Sequence, residues 1–533
     1  MKNTVPISAV LFAIYPIVDL YALLPGGVQP ITIIRPLCIQ VLITASLFLF
    51  FYSRQRNMLR AGFLAGFAMF YFSSTGYFYR SIPLPTYPAI THLFFVILGL
   101  AILAILTHPD VWQKYLTPHR LRTLTQYLNF IAILVLLFPL YRIAKALIDM
   151  ADDTRVPWSQ LILENEEPQA LKPDIPLDVY YIILDGYGRQ DVIQNVFGYD
   201  NSNFIKELES LGFYVAHDAH SNYIRTVVSL TSSLNLNYIN FAEEAAGRFS
   251  TNYLPLRGLI QHNQARERLE QADYATVAIS SDYDFTDWKD ADHYLFPFKY
   301  DLSELERFFY GSSALGAFYD PEFPFTRSLR SILPIPSYGT RRGKMRFAFE
   351  QLKEIPRISG PKFVFAHIIA PHPPFVFDAN GNPINIERPY NPGDGEGFTG
   401  SFEEYQSLYI QQLQFVNLRI LDSIRSILSQ SRRPPIIIIQ GDHGSGSLLN
   451  NSSIEESCMY ERASILNAYY MPEGKTDFLY PEITPVNSFR MVFNTYFGTE
   501  YDLLPDQIWY SPFVNPYDFT NITDQIEDKC QKP

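Results

Sequence analysis

The sequence predicts two parts: an N-terminal bundle of about five membrane-spanning helices, then an α/β domain with a mainly parallel sheet. Three observations predict it. Five long apolar runs fill the first 149 residues. Beyond residue 177, short apolar β-rich runs alternate with helical segments. Several of those runs end on acidic or imidazole side chains beside glycine, as in Gly441-Asp442-His443-Gly444.

The bulk numbers agree with a mixture. A chain of 533 residues is long enough for two or three domains. Its hydrophobic content is 47%, yet its mean hydropathy is close to zero, so a very apolar part is diluted by a polar one. A net charge of −12 argues against nucleic acid as a partner, because a phosphate backbone needs a basic surface. Cys38 lies in an apolar run, which leaves Cys458 and Cys530 as the candidates for a bridge in an oxidising compartment. Spacing alone does not fix their geometry.

The apolar runs are 8–24, 31–51, 61–80, 87–107 and 127–147. Most approach the roughly 20 residues needed to cross a hydrocarbon core. Runs two and four are the clearest; run one is short and contains Asp19. Arg54, Arg56 and Arg60 follow run two, and Lys114, His119, Arg120 and Arg122 follow run four. Apart from Arg80, the alternate loops are nearly free of basic residues. The positive-inside rule places the two basic loops in the cytoplasm and everything after run five outside. Arg142 and Lys145 are a small contrary signal. The expected protein is a multi-pass plasma (inner) membrane protein with an extracytoplasmic C-terminal domain.

Residues 150–177 read as an extended linker, acidic and interrupted by Pro157, Pro168, Pro173 and Pro176. Strands are expected at 179–185, 213–218, 274–280, 362–370 and 435–442, several apolar throughout as strands buried on both faces are. Helices are expected at 202–212 and 403–430. Strand–helix alternation implies a mainly parallel sheet with helices on both faces. In such folds ligands bind beyond the C-terminal strand ends. Those ends carry Asp185-Gly186, a polar segment from His217 to Thr226, Pro371-His372-Pro373-Pro374, and Asp442-His443. Carboxylates, imidazoles and a hydroxyl converging on one edge suit a divalent metal.

Four motifs in this order, LDGYG (184–188), TVVSLTSS (226–233), PHPP (371–374) and GDHG (441–444), resemble the alkaline phosphatase/sulfatase superfamily. They are most similar to its membrane-bound phosphoethanolamine transferases and lipoteichoic acid synthases, which also have about five N-terminal spans and an outward-facing catalytic domain. The resemblance implies an α/β/α alkaline-phosphatase-like catalytic domain over 178–533. It implies that Asp185, Asp442 and His443 are metal ligands, and that Thr226 is both nucleophile and ligand, at the start of a helix. His372 matches the histidine that contacts the transferred phosphate or a second metal. Arg462 is a candidate for substrate charge and Asp378 for loop anchoring, while His367 reads as structural. Trp288 lies where some relatives place an aromatic for the head group, without a role assigned here.

Two departures narrow the reading. Phosphoethanolamine transferases carry a further histidine soon after Asp-His, and none follows His443 here. One divalent metal, zinc or manganese, is therefore expected, and a second is in doubt. No formylglycine-type CxPxR motif surrounds Thr226, against true sulfatase chemistry. The expected function is transfer of a phospho-head group from a membrane lipid donor to an envelope lipid or glycan through a phospho-threonine, by a monomer. The alternatives are a membrane-bound phosphatase, phosphodiesterase or sulfatase-like ester hydrolase, and, in another class, a non-catalytic scaffold on an inactivated fold.

Overall fold

The computed structural model describes residues 4–23, 30–80, 88–153, 169–281, 283–297, 304–315, 338–384, 390–526 and 530. The chain divides into two units. The first comprises Met1–Asp152, Asp301–Ser337 and Ile386–Tyr390; the second comprises Asp153–Tyr300, Tyr338–Asn385 and Asn391–Pro533.

In the first unit each apolar run is helical: α1 (Ser8–Leu23), α2 (Ile34–Gln55), α3 (Met58–Arg80), α4 (Pro88–Thr107) and α5 (Pro118–Asp153). The turn between α2 and α3 shows how local chemistry sets the boundary. Arg56 adopts a left-handed conformation and returns its N–H to the Tyr52 carbonyl. Asn57 then caps α3, its Oδ1 accepting from the Leu59 and Arg60 amides at 3.0 and 3.1 Å. Among the described residues, two helices are long and apolar enough to cross a membrane, Ile34–Gln55 and Pro118–Lys145. Ser8–Leu23 and Phe94–Thr107 are shorter apolar helices. The five spans expected from sequence are thus five helices, of which two meet that criterion. Leu42, Leu49, Phe130 and Phe138 are exposed on α2 and α5, the pattern of helices that face hydrocarbon.

This unit also contains the helix Glu304–Gly311, which the boundary at residue 178 does not anticipate. Its Leu305 and Phe309 pack with Ile17 and Tyr21. Glu306 is buried and accepts from Arg35 Nε at 2.7 Å. Of the linker expected at 150–177, residues 150–153 end α5, 169–177 form neither helix nor strand, and 154–168 lie outside the described residues.

The second unit is built on a seven-stranded sheet of order β2-β7-β6-β1-β5-β3-β4. The strands are β1 (Val179–Leu184), β2 (Phe213–Val215), β3 (Ala275–Ile279), β4 (His293–Leu295), β5 (Lys362–Ile368), β6 (Ile436–Gln440) and β7 (Asn467–Tyr470). The block β6-β1-β5-β3-β4 is parallel, and β7 runs antiparallel to both β6 and β2. The mainly parallel sheet is present, with β7 as its antiparallel member and β4 as a short edge.

Two central strands, β1 and β5, are buried along their whole length, which is why their sequences lack a polar alternation. On one face Val179, Tyr181 and Ile183 join Phe363, Phe365, Ile436 and Ile438 in a single core. Two helices supply the other side of that core: α7 (Thr226–Leu234), which follows α6 (Ser202–Ser210), and α10 (Pro485–Tyr496). Tyr181 donates to Ser233 on α7 at 3.0 Å and meets Phe489 of α10 edge-on at 5.0 Å. Two further helices, α8 (Tyr338–Glu354) and α9 (Phe402–Gln430), are joined by the Ser423 hydroxyl donating to the Phe349 carbonyl. Tyr409 and Gln412 of α9 hold the turns at Gly186 and Pro371-His372 by hydrogen bonds of 2.9 and 3.2 Å. Cys458 and Cys530 form a disulfide with a Cα–Cα distance of 5.3 Å, settling a pairing that spacing left open.

Candidate metal centre

Strand register assembles the centre. Ile183 of β1 pairs with His367 of β5 and with Gln440 of β6, so these three lie in one row across the sheet. Side chains two residues apart on a strand share a face. Two residues further, Asp185 and Asp442 therefore leave neighbouring strands on the same side as Ile183. Gly186 turns the chain away with φ +73°, and the His372 Cα lies 3.5 Å from where a Cβ would stand there. At Gly444 a Cβ would run into the carbonyl oxygens of Glu461 and Ser464.

Asp185, Asp442 and His443 form a buried cluster whose ligand atoms all lie within 4.8 Å of one another. His443 Nε2 stands 3.6 Å from Asp185 Oδ1 and 3.3 Å from Asp442 Oδ2. On the other side of the ring, Nδ1 donates to the Gly444 carbonyl at 2.8 Å, which leaves Nε2 as the nitrogen with the free lone pair. Burial and the nearby Arg462 guanidinium lower the His443 pKa, favouring that neutral form. Burial works to raise the Asp185 carboxyl, yet His372, His367 and His443 together hold it well below the usual carboxylate range.

Whether these residues fit a metal is answered by their unpaired atoms. Asp185 Oδ1 and Asp442 Oδ2 are buried and accept no hydrogen bond among the described residues. Buried polar atoms are ordinarily satisfied. Two such oxygens with an imidazole lone pair are a ligand set for a divalent cation, with oxygen and nitrogen donors suited to zinc or manganese. The fit is good.

Thr226 reaches the same point from a different element. It is the first residue of α7, whose start is held by Ser229 Oγ donating to the Asp442 carbonyl at 2.7 Å. Its Oγ1 lies 3.1 Å from His443 Nε2. The hydroxyl thus meets the cluster at the positive end of a helix. Beside it Arg225 is buried and donates to the Ser511 carbonyl and to Asn451. Burial and the neighbouring Arg462 pull the Arg225 pKa down to about 10.

The remaining residues expected at the site divide. His372 stands at the rim, its side chain 18% exposed, with its ring 6.2 Å from that of His443. Its Nδ1 donates to the Pro373 carbonyl at 2.7 Å, and Nε2 faces Asp394 at 3.8 Å. Arg462 is buried beside the centre, where it donates to the carbonyls of Ile224 and Gly444 and to Asp394 Oδ2 at 2.9, 3.2 and 2.9 Å. It therefore braces three loops. Asp378 is half-buried and folds its own turn, accepting from the Asn380 and Asn382 amides. Trp288 is a core residue, fully buried and stacked on Phe365 at 4.1 Å.

Two residues escape sequence reasoning. His367, read there as structural, has its Nε2 3.3 Å from Asp185 Oδ2, while its Nδ1 is 2.8 Å from the Thr286 hydroxyl. The available signal is a lone histidine in an otherwise apolar buried strand. Asp394 links Arg462 to His372 and accepts from Tyr405 at 2.8 Å. Burial raises its carboxyl, but His372 and Arg462 outweigh this and hold it low. Its only mark in the sequence is an acid within a glycine-rich loop, Gly393-Asp394-Gly395.

No protein-family model matches the chain, and no curated protein sequence matches it. Solved structures are similar at low identity. The C-terminal periplasmic domain of EcEptC from Escherichia coli is 12% identical with a TM-score of 0.40, over 66% of this chain and 94% of that one. The C-terminal periplasmic domain of phosphoethanolamine transferase EptC from Campylobacter jejuni is 10% identical, TM-score 0.34, over 64% and 95%. A protein in the alkaline phosphatase superfamily from Vibrio parahaemolyticus is 10% identical, TM-score 0.36, over 67% and 81%. At such scores the likeness adds no weight to the chemistry, which rests on the distances above. Other structures similar at this level include a 2-O GAG sulfatase, 13% identical with a TM-score of 0.38.

Proposed function

We propose that this chain is a metal-dependent transferase that moves a phospho-head group from a membrane lipid to an envelope lipid or glycan through a phospho-threonine at Thr226. The observation that carries the reading is the Thr226 hydroxyl, 3.1 Å from His443 Nε2 and at the start of α7, facing the buried Asp185, Asp442 and His443 cluster. A zinc or manganese ion held by Asp185, Asp442 and His443 would lower the pKa of the Thr226 hydroxyl and neutralise charge developing on the phosphoryl oxygens.

The chain's own residues do the rest. Thr226 Oγ1 attacks the phosphorus of the donor. The new P–O bond forms as the bond to the lipid alcohol breaks, and the proton lost from Thr226 is matched by the one the departing alcohol takes up. An acceptor hydroxyl then attacks the phospho-threonine, and its proton is matched by the one returned to Thr226. His372, half-buried at the rim, faces the transferred group. Asp394 and Arg462 hold His372 and the Gly444 loop in place.

An extracytoplasmic site is supported by the basic loops after α2 and α4. It is supported further by the Cys458–Cys530 disulfide, which suits an oxidising compartment. The test is Thr226→Ala in the full chain. Turnover of a head-group-labelled phospholipid should fall by at least about 10³-fold, with metal content by elemental analysis near that of the wild type. Full activity in this variant would sink the assignment. Label appearing in water rather than on a lipid or glycan would turn the reading to a hydrolase using the same threonine.

A further inference from the structure

Helix α8 carries Arg341, Arg342, Lys344 and Arg346 in close succession with no acidic residue among them, in a chain whose net charge is −12. Two of these cations fix where the helix lies. Arg341 is buried, and its Nη2 donates to the Ile369 carbonyl at 2.5 Å. Arg346 Nη2 donates to the Gly381 carbonyl at 3.0 Å, with its guanidinium 5.0 Å from the centre of the Phe377 ring. Both acceptors belong to the segment that leaves β5 and carries His372. The basic stretch of α8 therefore runs along the segment that brings His372 to the metal centre.

Arg342 lies between these anchors, one turn before Arg346 on the same side of the helix. Its Nη1 is shielded from solvent and meets no acceptor among the described residues. Burial and the adjacent Arg346 both lower its pKa. Lys344 is differently placed, near the Asp287 carboxyl. Asp378, the carboxylate of the turn under Arg346, accepts instead from Asn380 and Asn382. Arg342 and Arg346 are one turn apart on α8, and one Arg342 donor is buried and unused. Like charges at that spacing repel, and a phosphate or carboxylate accepting from them would offset both the repulsion and the unused donor.

We propose that Arg342 and Arg346 form an anion site for a phosphate group of the substrate other than the one undergoing transfer. Its link to a substrate rests on the transferase reading, whereas anion binding itself does not. The site would hold a donor or acceptor by a charge remote from the reacting phosphorus, with His372 on the segment between.

The experiment uses the full chain in detergent, stripped of metal with EDTA so that the metal centre takes no part, with inorganic phosphate titrated calorimetrically. Wild type and Thr226→Ala should bind phosphate alike. Arg342→Gln should weaken binding at least ten-fold, and Arg342→Gln with Arg346→Gln should abolish it. Arg342→Lys, which keeps the charge and loses the fork, should restore only part of it, and Lys353→Gln, at the far end of α8, should change nothing. No phosphate binding by wild type, or equal binding by Arg342→Gln, overturns the site and leaves the Thr226 chemistry standing. Loss in the arginine variants together with full turnover in Thr226→Ala keeps the site and removes the transferase reading. Competition by short-chain phosphatidylglycerol distinguishes the sources: displacement of phosphate assigns a lipid headgroup, and lack of displacement assigns a soluble phosphate.

Discussion

His367 shows how one side chain can support another in a candidate metal centre. It stands between the Thr286 hydroxyl at 2.8 Å and Asp185 Oδ2 at 3.3 Å, while the other Asp185 oxygen faces His443 Nε2 at 3.6 Å. Partners of this kind typically affect metal affinity about 10–100-fold. His367→Ala is accordingly expected to weaken zinc binding by about that factor in a chelator competition, with His367→Gln recovering part of the loss. An unchanged affinity in the alanine variant would show that the contact orients nothing. The candidate ligands themselves are legible: Asp185, Asp442 and His443 each sit at a strand end in a glycine-bearing turn. His367 was not, because a histidine inside a buried strand looks the same whether it packs or points at a ligand. Only the pairing of Ile183 with His367 tells them apart.

At the scale of elements, the centre depends on loops that the sheet alone does not hold. The stretch from Ser445 to Ala463 folds back on itself through Glu461, which accepts from the Ser447 and Leu448 amides at 2.8 and 3.0 Å. Burial raises the Glu461 pKa. Arg462, in the single helical turn Met459–Ala463, ties this stretch to Ile224 and Gly444. Cys458 precedes that turn and joins it to Cys530, closing a loop with a sequence separation of 72. By chain entropy such a closure stabilises by up to about 4 kcal/mol. Replacing both cysteines by serine should cost about 2–4 kcal/mol in denaturant unfolding of the purified chain. A midpoint equal to that of the wild type would mean that the bridge constrains nothing. Short apolar runs made β1, β2, β3, β5 and β6 readable. The β7 strand, Asn467–Tyr470, is harder to read because it is four residues long and Asn467 breaks the apolar run around it.

For the whole molecule, the sidedness expected from loop charge can be measured directly. In a Cys38→Ser background, an impermeant maleimide applied to intact cells should label Lys475→Cys, which lies on the surface of the second unit. It should label Arg54→Cys, at the end of α2, only after permeabilisation. The opposite pattern would place the candidate centre in the cytoplasm and remove envelope acceptors from consideration. The helix Glu304–Gly311 is the part of the chain whose assignment changed most. From sequence it belongs to the catalytic region, but its Leu305 and Phe309 pack with α1.

The sequence by itself determined the pieces with local causes. Apolar length marked the N-terminal helices, buried strands announced themselves by unbroken aliphatic runs, and strand ends exposed Asp185, His372, Asp442 and His443. Tertiary structure alone decided what depends on distant partners. It carried Thr226 on α7 to within 3.1 Å of His443, and it set His367 against Asp185 and Asp394 between His372 and Arg462. It also joined Cys458 to Cys530 and left a buried Arg342 donor with no acceptor among the described residues. The physical reason is the same throughout. Periodicity and burial are properties of a few neighbouring residues, whereas a metal centre is made by the register between strands far apart in the chain.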